Sequence, residues 1–302
     1  MKNSYESYVN SFLEYLLYEL NYSNKTTLTY KNALKEYGEF LNLKKLNFLN
    51  ITSDNANSYK AHLIASNYEN KTSSLHLSTV RSFYNYLIEI NVLKNNVFSN
   101  IKNPKVEKKL PNFLNNSETD RMFNDIKWDN DLDVRNNLII EFLYATGLRV
   151  SELCNIKLKD LNSSNKSIKV LGKGSKERIV FYKACNEYLF DYYLNTSRIN
   201  ILNGISSEYL FTSKSGKSLT TRTVEEIVKK YSIKNNIKSK VTPHTLRHTY
   251  ATDLLNNDAD IRSVGELLGH ESLSTTQIYT HVTSDRLKEV YKKTHPRGKM
   301  QK

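Results

Sequence analysis

Cysteine, proline and glycine are all scarce in this chain of 302 residues: two, four and nine of them, respectively. Cys154 and Cys185 stand apart from any metal-ligand spacing, which excludes a disulfide scaffold or a zinc module and leaves two buried thiols of a reducing compartment. No long apolar run occurs and the mean hydropathy is −0.58, so a transmembrane helix is excluded. The opening MKNSYESYVNSFLEYL carries acidic and polar residues where a signal peptide needs an apolar stretch, and a cytoplasmic location is expected. Negative charge is also short: 31 Asp and Glu face 44 Lys and Arg, a formal net charge of +13. That excess is the footprint of a nucleic-acid binder. A membrane surface is the competing partner, but the basic residues are dispersed rather than gathered on one amphipathic helix. With 39% hydrophobic residues the chain can bury real cores, and its length suits two domains.

The few prolines punctuate the chain. Pro104 and Pro111 bracket NPKVEKKLP, a charged stretch without apolar periodicity, read as a linker over 104–111. Before it, helical spacing runs over Ser4–Leu20, Lys25–Leu41, Ser53–Ser66 and Thr72–Ile90, which makes residues 1–103 a small all-helical domain. After it, Ser117 with Asp120 reads as a helix cap and first-turn acid, and Leu138–Thr146 as an apolar helix stopped by Gly147. Ser167–Leu171 and Glu177–Phe181 alternate like two strands around Gly172-Lys173-Gly174-Ser175, a hairpin signal. Further helices are expected over Ala184–Asn195, Thr221–Asn235, Pro243–Asn256, Ile261–Leu268, Leu273–His281 and Asp285–Lys293. The fold class is therefore mainly α, with a small antiparallel sheet in a second domain over 112–302.

The densest chemical signal is VTPHTLRHTYATDLL. Pro243 suits a first helical turn, and His244 and Arg247 then share a face. An imidazole at the positive end of a helix dipole favours its neutral form and can accept a proton from a nucleophile bound at a phosphate. Taken alone, the segment reads more readily as a solvated basic helix face. Gly269 can end the following helix and turn His270 inward, and Tyr279 stands nine positions further on. One tyrosine among 21 gains standing only beside the other segments, ATGLRVSEL with Arg149 and GKGSKER with Lys173. Together they supply two guanidiniums, one ammonium, two imidazoles and a phenol. Forked guanidiniums can grip the non-bridging oxygens of a phosphodiester. Paired carboxylates for Mg²⁺ are missing, and GKGSK lacks the spacing of an ATP-binding loop, so no cofactor is expected.

TGLRVSEL, GKGSKER, HTLRHTYAT, LLGHESLSTTQIYTHV and the terminal VYKKTHPR, in that order, resemble the tyrosine recombinase (phage integrase) family, most closely its XerC/XerD branch. The match covers about residues 112–302, while the N-terminal part is similar in layout to a helical, SAM-like core-binding domain. The resemblance implies Arg149 and Arg247 as phosphate clamps, Lys173 as general acid on the 5′-hydroxyl, His244 as acid/base partner, His270 as a phosphate contact and Tyr279 as nucleophile. It further implies metal- and ATP-independent strand exchange on double-stranded DNA by four protomers, of one or two kinds. The C-terminal tail would dock in trans, a DNA translocase could act as activator, and the role would be resolution of chromosome or plasmid dimers during chromosome partition and cell division. The chain departs from the pattern at Asp253, where relatives often carry His, and at Gly265, where a longer residue is usual.

Three other readings stay open. A mobile-element integrase shares every motif, although a first helix so near Met1 leaves no room for an arm-binding domain. A non-catalytic DNA-binding protein explains the charge but not the ordered set of side chains. A type IB topoisomerase uses similar chemistry and would relax supercoils without a defined site.

The assignment of Lys173 generates a test. A 5′-alkoxide leaves poorly, its conjugate acid lying near water at about 15.7, so the breaking P–O bond needs a proton. Lys173→Ala should be severely slow on ordinary DNA and recover much of its cleavage when sulfur replaces the bridging 5′-oxygen, since a thiol of pKa about 8.5 leaves unaided. Arg247→Ala should recover far less. Equal rescue of both variants, or of neither, removes Lys173 from the role and turns attention to Lys176 or His244.

Overall fold

The computed structural model describes residues 4–105, 113–124, 128–172, 177–269 and 281–298, and the chain divides into two compact units, Met1–Lys109 and Leu110–Lys302. The first unit is helical throughout its described residues. Helix α1 (Tyr5–Glu14) begins where the Ser4 hydroxyl accepts the Ser7 N–H, and it continues as a π turn over Tyr15–Glu19. Ser23 caps α2 (Asn24–Lys44) in the same way, and Lys45 ends it in the left-handed region at φ 51°. A reciprocal Thr52–Asn55 capping box opens α3 (Ser53–Ala65), and α4 (Asn70–Glu89) completes the unit.

Its core is built from rings: Phe12, Tyr37, Phe40, Tyr59, Phe83 and Tyr84 are buried together. Tyrosine in such a place needs polar partners. The Tyr37 and Tyr84 hydroxyls are 2.9 Å apart, and the Tyr84 hydroxyl donates to the Phe48 carbonyl at 2.7 Å. Beyond α4, the chain is strapped back along it: Arg81 donates to the Phe98 and Ile101 carbonyls, and Asn70 to the carbonyl of Lys105 at 2.8 Å.

The second unit surrounds one buried helix. Helix α6 (Asp131–Thr146) is buried on all sides from Asn137 onward, which is why its sequence from Leu138 is mostly apolar rather than striped. It starts seven residues before the apolar run that announces it, because the Asn130 side chain accepts the Asp133 N–H and two aspartates occupy the first turn. Ahead of it, α5 (Asn116–Asn124) is capped not by Ser117 but by Asn115, whose side chain accepts the Glu118 N–H at 2.9 Å. After α7 (Val150–Cys154) comes an antiparallel sheet in the order β1 (Leu161–Asn162), β2 (Ser167–Leu171), β3 (Glu177–Phe181). The two long strands have the bounds read from their alternation, with Val170 opposite Arg178 and Leu171 opposite Glu177. The two-residue β1 is too short to show a period.

Helix α8 (Glu187–Tyr192) is capped by Asn186 rather than starting at Ala184, and passes through a π turn at Tyr193–Ser197 into α9 (Arg198–Leu202). Then follow α10 (Thr221–Lys234), α11 (Pro243–Asn256), α12 (Ile261–Leu268) and α13 (His281–Thr294). The helix expected over Leu273–His281 lies outside the described residues but for its last one. Cys154 and Cys185 are both buried, and neither forms a disulfide. No helix among the described residues is long and apolar enough to cross a membrane.

The apolar face of the C-terminal helix packs on its own domain, where Leu287 and Tyr291 are buried. The Tyr291 hydroxyl donates to the Ala145 carbonyl at 3.0 Å and accepts the Ala184 N–H at 3.1 Å. His295, 1% exposed, lies against the rings of Tyr144, Tyr250 and Tyr291, and its Nδ1 accepts the Arg297 N–H. Arg297 then pairs with the buried Glu141 carboxylate at 3.0 Å. The apolar cover of Leu287, Tyr291 and His295 favours this packing, and the Tyr291 hydroxyl, buried with them, keeps both a donor and an acceptor partner.

Burial, aided by the Arg297 charge, pushes His295 down to about 3. The fold thus favours neutral imidazole. Its contribution to stability is complete above the ordinary value of about 6.5 and is lost progressively as pH falls toward the folded value. Denaturant titrations between about pH 7.5 and pH 5 should show stability declining with acid, and His295→Gln should flatten that decline. An unchanged slope in the variant rejects the assignment.

Candidate active site

The site begins where α6 stops. Gly147 takes the left-handed conformation at φ 61°, its N–H returning to the Leu143 carbonyl. Two residues on, Arg149 occupies the N-cap of α7 with extended backbone. Its backbone N–H donates to Glu152 Oε2 at 2.8 Å, and its Nη1 to Glu152 Oε1 at 3.0 Å. One carboxylate therefore fixes both ends of the arginine. The Arg149 side chain is 38% exposed and that of Glu152 only 4%.

Three arginines converge on the C-terminal end of α12. Arg178, on β3, donates through Nε to the Leu267 carbonyl at 3.2 Å. Arg247, on α11, donates through Nη2 to the Leu268 carbonyl at 2.6 Å and through Nη1 to the Gly147 carbonyl at 2.6 Å. Arg149 donates through Nη2 to the Gly269 carbonyl at 3.2 Å. Three successive carbonyls of one helix end each take a different guanidinium, where the helix dipole is negative. Gly269 permits it: at φ 67°, a Cβ there would lie 3.0 Å from Arg178 Cδ. Arg178 also grips Glu152 with both prongs, at 2.7 and 2.8 Å.

Charge is concentrated here with little water. Burial, then the charges of Arg149 and Arg178, push Arg247 down to about 10. Burial alone would raise Glu152, but the hydrogen bonds and charge of Arg178, and then Arg149, outweigh it and hold the carboxyl below its usual range. The cluster is thus one carboxylate among three cations, a setting that favours an additional anion.

Of the residues expected from sequence, Arg149 and Arg247 are brought together at adjacent carbonyls. Pro243 is the first residue of α11, capped by Thr242, and His244 lies exposed on that first turn with its ring 4.3 Å from the ring of His248. Lys173, His270 and Tyr279 lie outside the described residues. The chain leaves the described part at Gly172, after β2, and at Gly269, directly after the arginine-held carbonyls. Two other tyrosines of this unit fit a nucleophile poorly: Tyr250 and Tyr291 are each 1% exposed, and burial raises both phenols. Glu152 and Arg178 were not anticipated, although both stand inside quoted motifs. Glu152 at i+3 from a helix-capping residue was the available signal, whereas the pairing of Arg178 on β3 with Glu152 on α7 had none. Asp253 sits within α11 and accepts the Tyr144 hydroxyl at 2.7 Å, so its departure from the pattern serves packing. No cluster of three potential metal ligands occurs among the described residues.

Residues 112–286 match the phage integrase family, and residues 9–91 match the N-terminal SAM-like domain of phage integrases. The chain belongs to the phage integrase family, the tyrosine recombinases. Over 301 residues it is 40% identical to the tyrosine recombinase XerC of Oceanobacillus iheyensis, covering 98% of each chain. Its fold is shared by the XerH site-specific recombinase bound to palindromic difH substrate in a post-cleavage complex (24% identity, TM-score 0.72, 95% of this chain and 84% of that one). A lambda integrase tetramer bound to a Holliday junction is similar in fold at 16% identity and a TM-score of 0.66, over 91% of this chain and 80% of the other.

Gly147 joins the three helices of the site. A Cβ there would fall 2.5 Å from the buried Tyr250 ring and 3.0 Å from Leu268. Gly147→Ala combines a left-handed penalty with overpacking, a destabilisation of about 2–4 kcal/mol by urea denaturation. A loss under about 1 kcal/mol would show that Tyr250 yields freely.

Proposed function

We propose that the chain is a site-specific recombinase that cleaves and rejoins double-stranded DNA through a 3′-phosphotyrosyl intermediate. The observation that carries this reading is the pair Arg149 and Arg247, held on neighbouring carbonyls at the point where the chain enters the segment bearing His270 and Tyr279. Their donors are oriented before any ligand arrives, which is what stabilisation of a phosphorane-like transition state requires. The Tyr279 oxygen attacks phosphorus, its proton passing to His244. The bond to the 5′-oxygen breaks with its electron pair as Lys173 delivers a proton, and His270 steadies a non-bridging oxygen. Rejoining reverses these steps on another 5′-hydroxyl. The phosphotyrosyl bond retains the energy of the phosphodiester, so neither ATP nor a metal is needed.

The XerC likeness supports resolution of chromosome or plasmid dimers in the cytoplasm as the biological role, with a DNA translocase as candidate activator. Four protomers around a junction, of one or two kinds, are the assembly we favour. Docking of the C-terminal tail in trans would first require Tyr291, His295 and Arg297 to leave their cis contacts. The +13 charge supports binding through phosphate neutralisation, with base contacts and bending choosing the site.

Trapping covalent adducts on sheared host DNA and sequencing the attached ends recovers the target. On a nicked duplex carrying that sequence, Tyr279→Phe should bind with unchanged affinity and form no covalent complex. A phosphotyrosyl peptide containing Tyr231, Tyr250 or Tyr291, identified by mass spectrometry, would refute the assignment.

A further inference from the structure

Glu152 is asked to do two things that conflict. It must hold Arg149 in place, yet a buried carboxylate paired with a single arginine also cancels that arginine's charge and competes with any incoming phosphate for its donors. Its second partner, on β3, resolves the conflict. Arg178, 4% exposed, places Nη1 on Oε1 and Nη2 on Oε2 in a forked pair, while Arg149 takes only one side-chain bond to Oε1 and one backbone bond to Oε2. The tighter, two-pronged contact belongs to the arginine that solvent barely reaches, and the looser one to the arginine that is partly open.

We propose that Arg178 is a positioning residue that neutralises Glu152, so that Arg149 is held by the carboxylate without losing its charge to it. The inference rests on the reading of Arg149 as a phosphate clamp. Without Arg178, Glu152 would close on Arg149 with both oxygens, and the clamp would become half of an internal ion pair. The charges make the difference concrete: Glu152 with Arg149, Arg178 and Arg247 carries an excess of two positive charges, and without Arg178 an excess of one. Arg178 also fixes where Arg149 points, because its Nε holds the Leu267 carbonyl two residues before the Gly269 carbonyl that receives Arg149.

The test compares the full-length wild type, Arg178→Met, Arg178→Lys and Arg149→Ala on two nicked duplexes carrying the recovered target sequence. One has an ordinary scissile phosphate and the other a methylphosphonate there, which lacks the negative charge a guanidinium neutralises. On the ordinary duplex Arg178→Met should bind as wild type and form covalent complex about 10- to 100-fold more slowly. Arg178→Lys should regain part of that rate, because it restores the charge but not the fork. On the methylphosphonate the deficits of Arg178→Met and Arg149→Ala should both shrink. Wild-type cleavage by Arg178→Met overturns the proposal. So does an equal deficit on both duplexes, which marks a purely structural role. If Arg149→Ala itself cleaves the ordinary duplex at the wild-type rate, the clamp reading falls and the proposal falls with it.

Discussion

Glu152 is a single carboxylate shared by two arginines that come from different parts of the chain, and much of the catalytic unit is arranged around that sharing. Arg149 arrives from the end of the buried helix α6, Arg178 from a strand and Arg247 from α11, and all three finish on the last carbonyls of α12. Cations are costly to bury, and here the cost is offset by one internal anion, four backbone carbonyls and the negative end of a helix. The glycines at 147 and 269 follow from the same demand. Each ends a helix where a side chain would strike another part of the cluster, Tyr250 in one case and Arg178 in the other.

How much of this could be read beforehand depends on the range of each interaction. The bounds of β2 and β3, the start of α11 at Pro243 and the stop of α12 at Gly269 are local matters of alternation, capping and φ, and they were legible. The early start of α6 was not, because Asn130 and the polar first turn carry no apolar period. Arg149 and Arg247 were identified through their motifs, not through any signal that they would meet. The bond from Arg178 to Glu152 joins residues 26 apart, and the one from Arg247 to Gly147 joins residues 100 apart. Contacts of that kind are decided by how layers pack, which no window of sequence contains.

The N-terminal unit shows a different economy. Its core uses tyrosine where aliphatic residues are commoner, and the buried Tyr37 and Tyr84 hydroxyls bond each other and the Phe48 carbonyl. A ring carries much apolar area, and a phenol bonded inside also fixes which helices face each other. The C-terminal helix follows the same rule in the second unit, since Tyr291 bonds both the Ala145 carbonyl and the Ala184 N–H. Aromatic bulk with a polar tip thus specifies packing in both halves of the chain.

The depressed Arg247 has a thermodynamic corollary. Like charges that burial holds together work against the fold, and an anion bound in such a cluster would relieve that repulsion. Occupancy and folding are then linked quantities. A ligand that binds only the native state adds RT ln(1 + [L]/Kd) to its stability, about 2.7 kcal/mol when present at about a hundred times its Kd. On the proposed reading of Arg149 and Arg247 as phosphate clamps, DNA is such a ligand, and the melting point of the catalytic unit then reports whether it is in place.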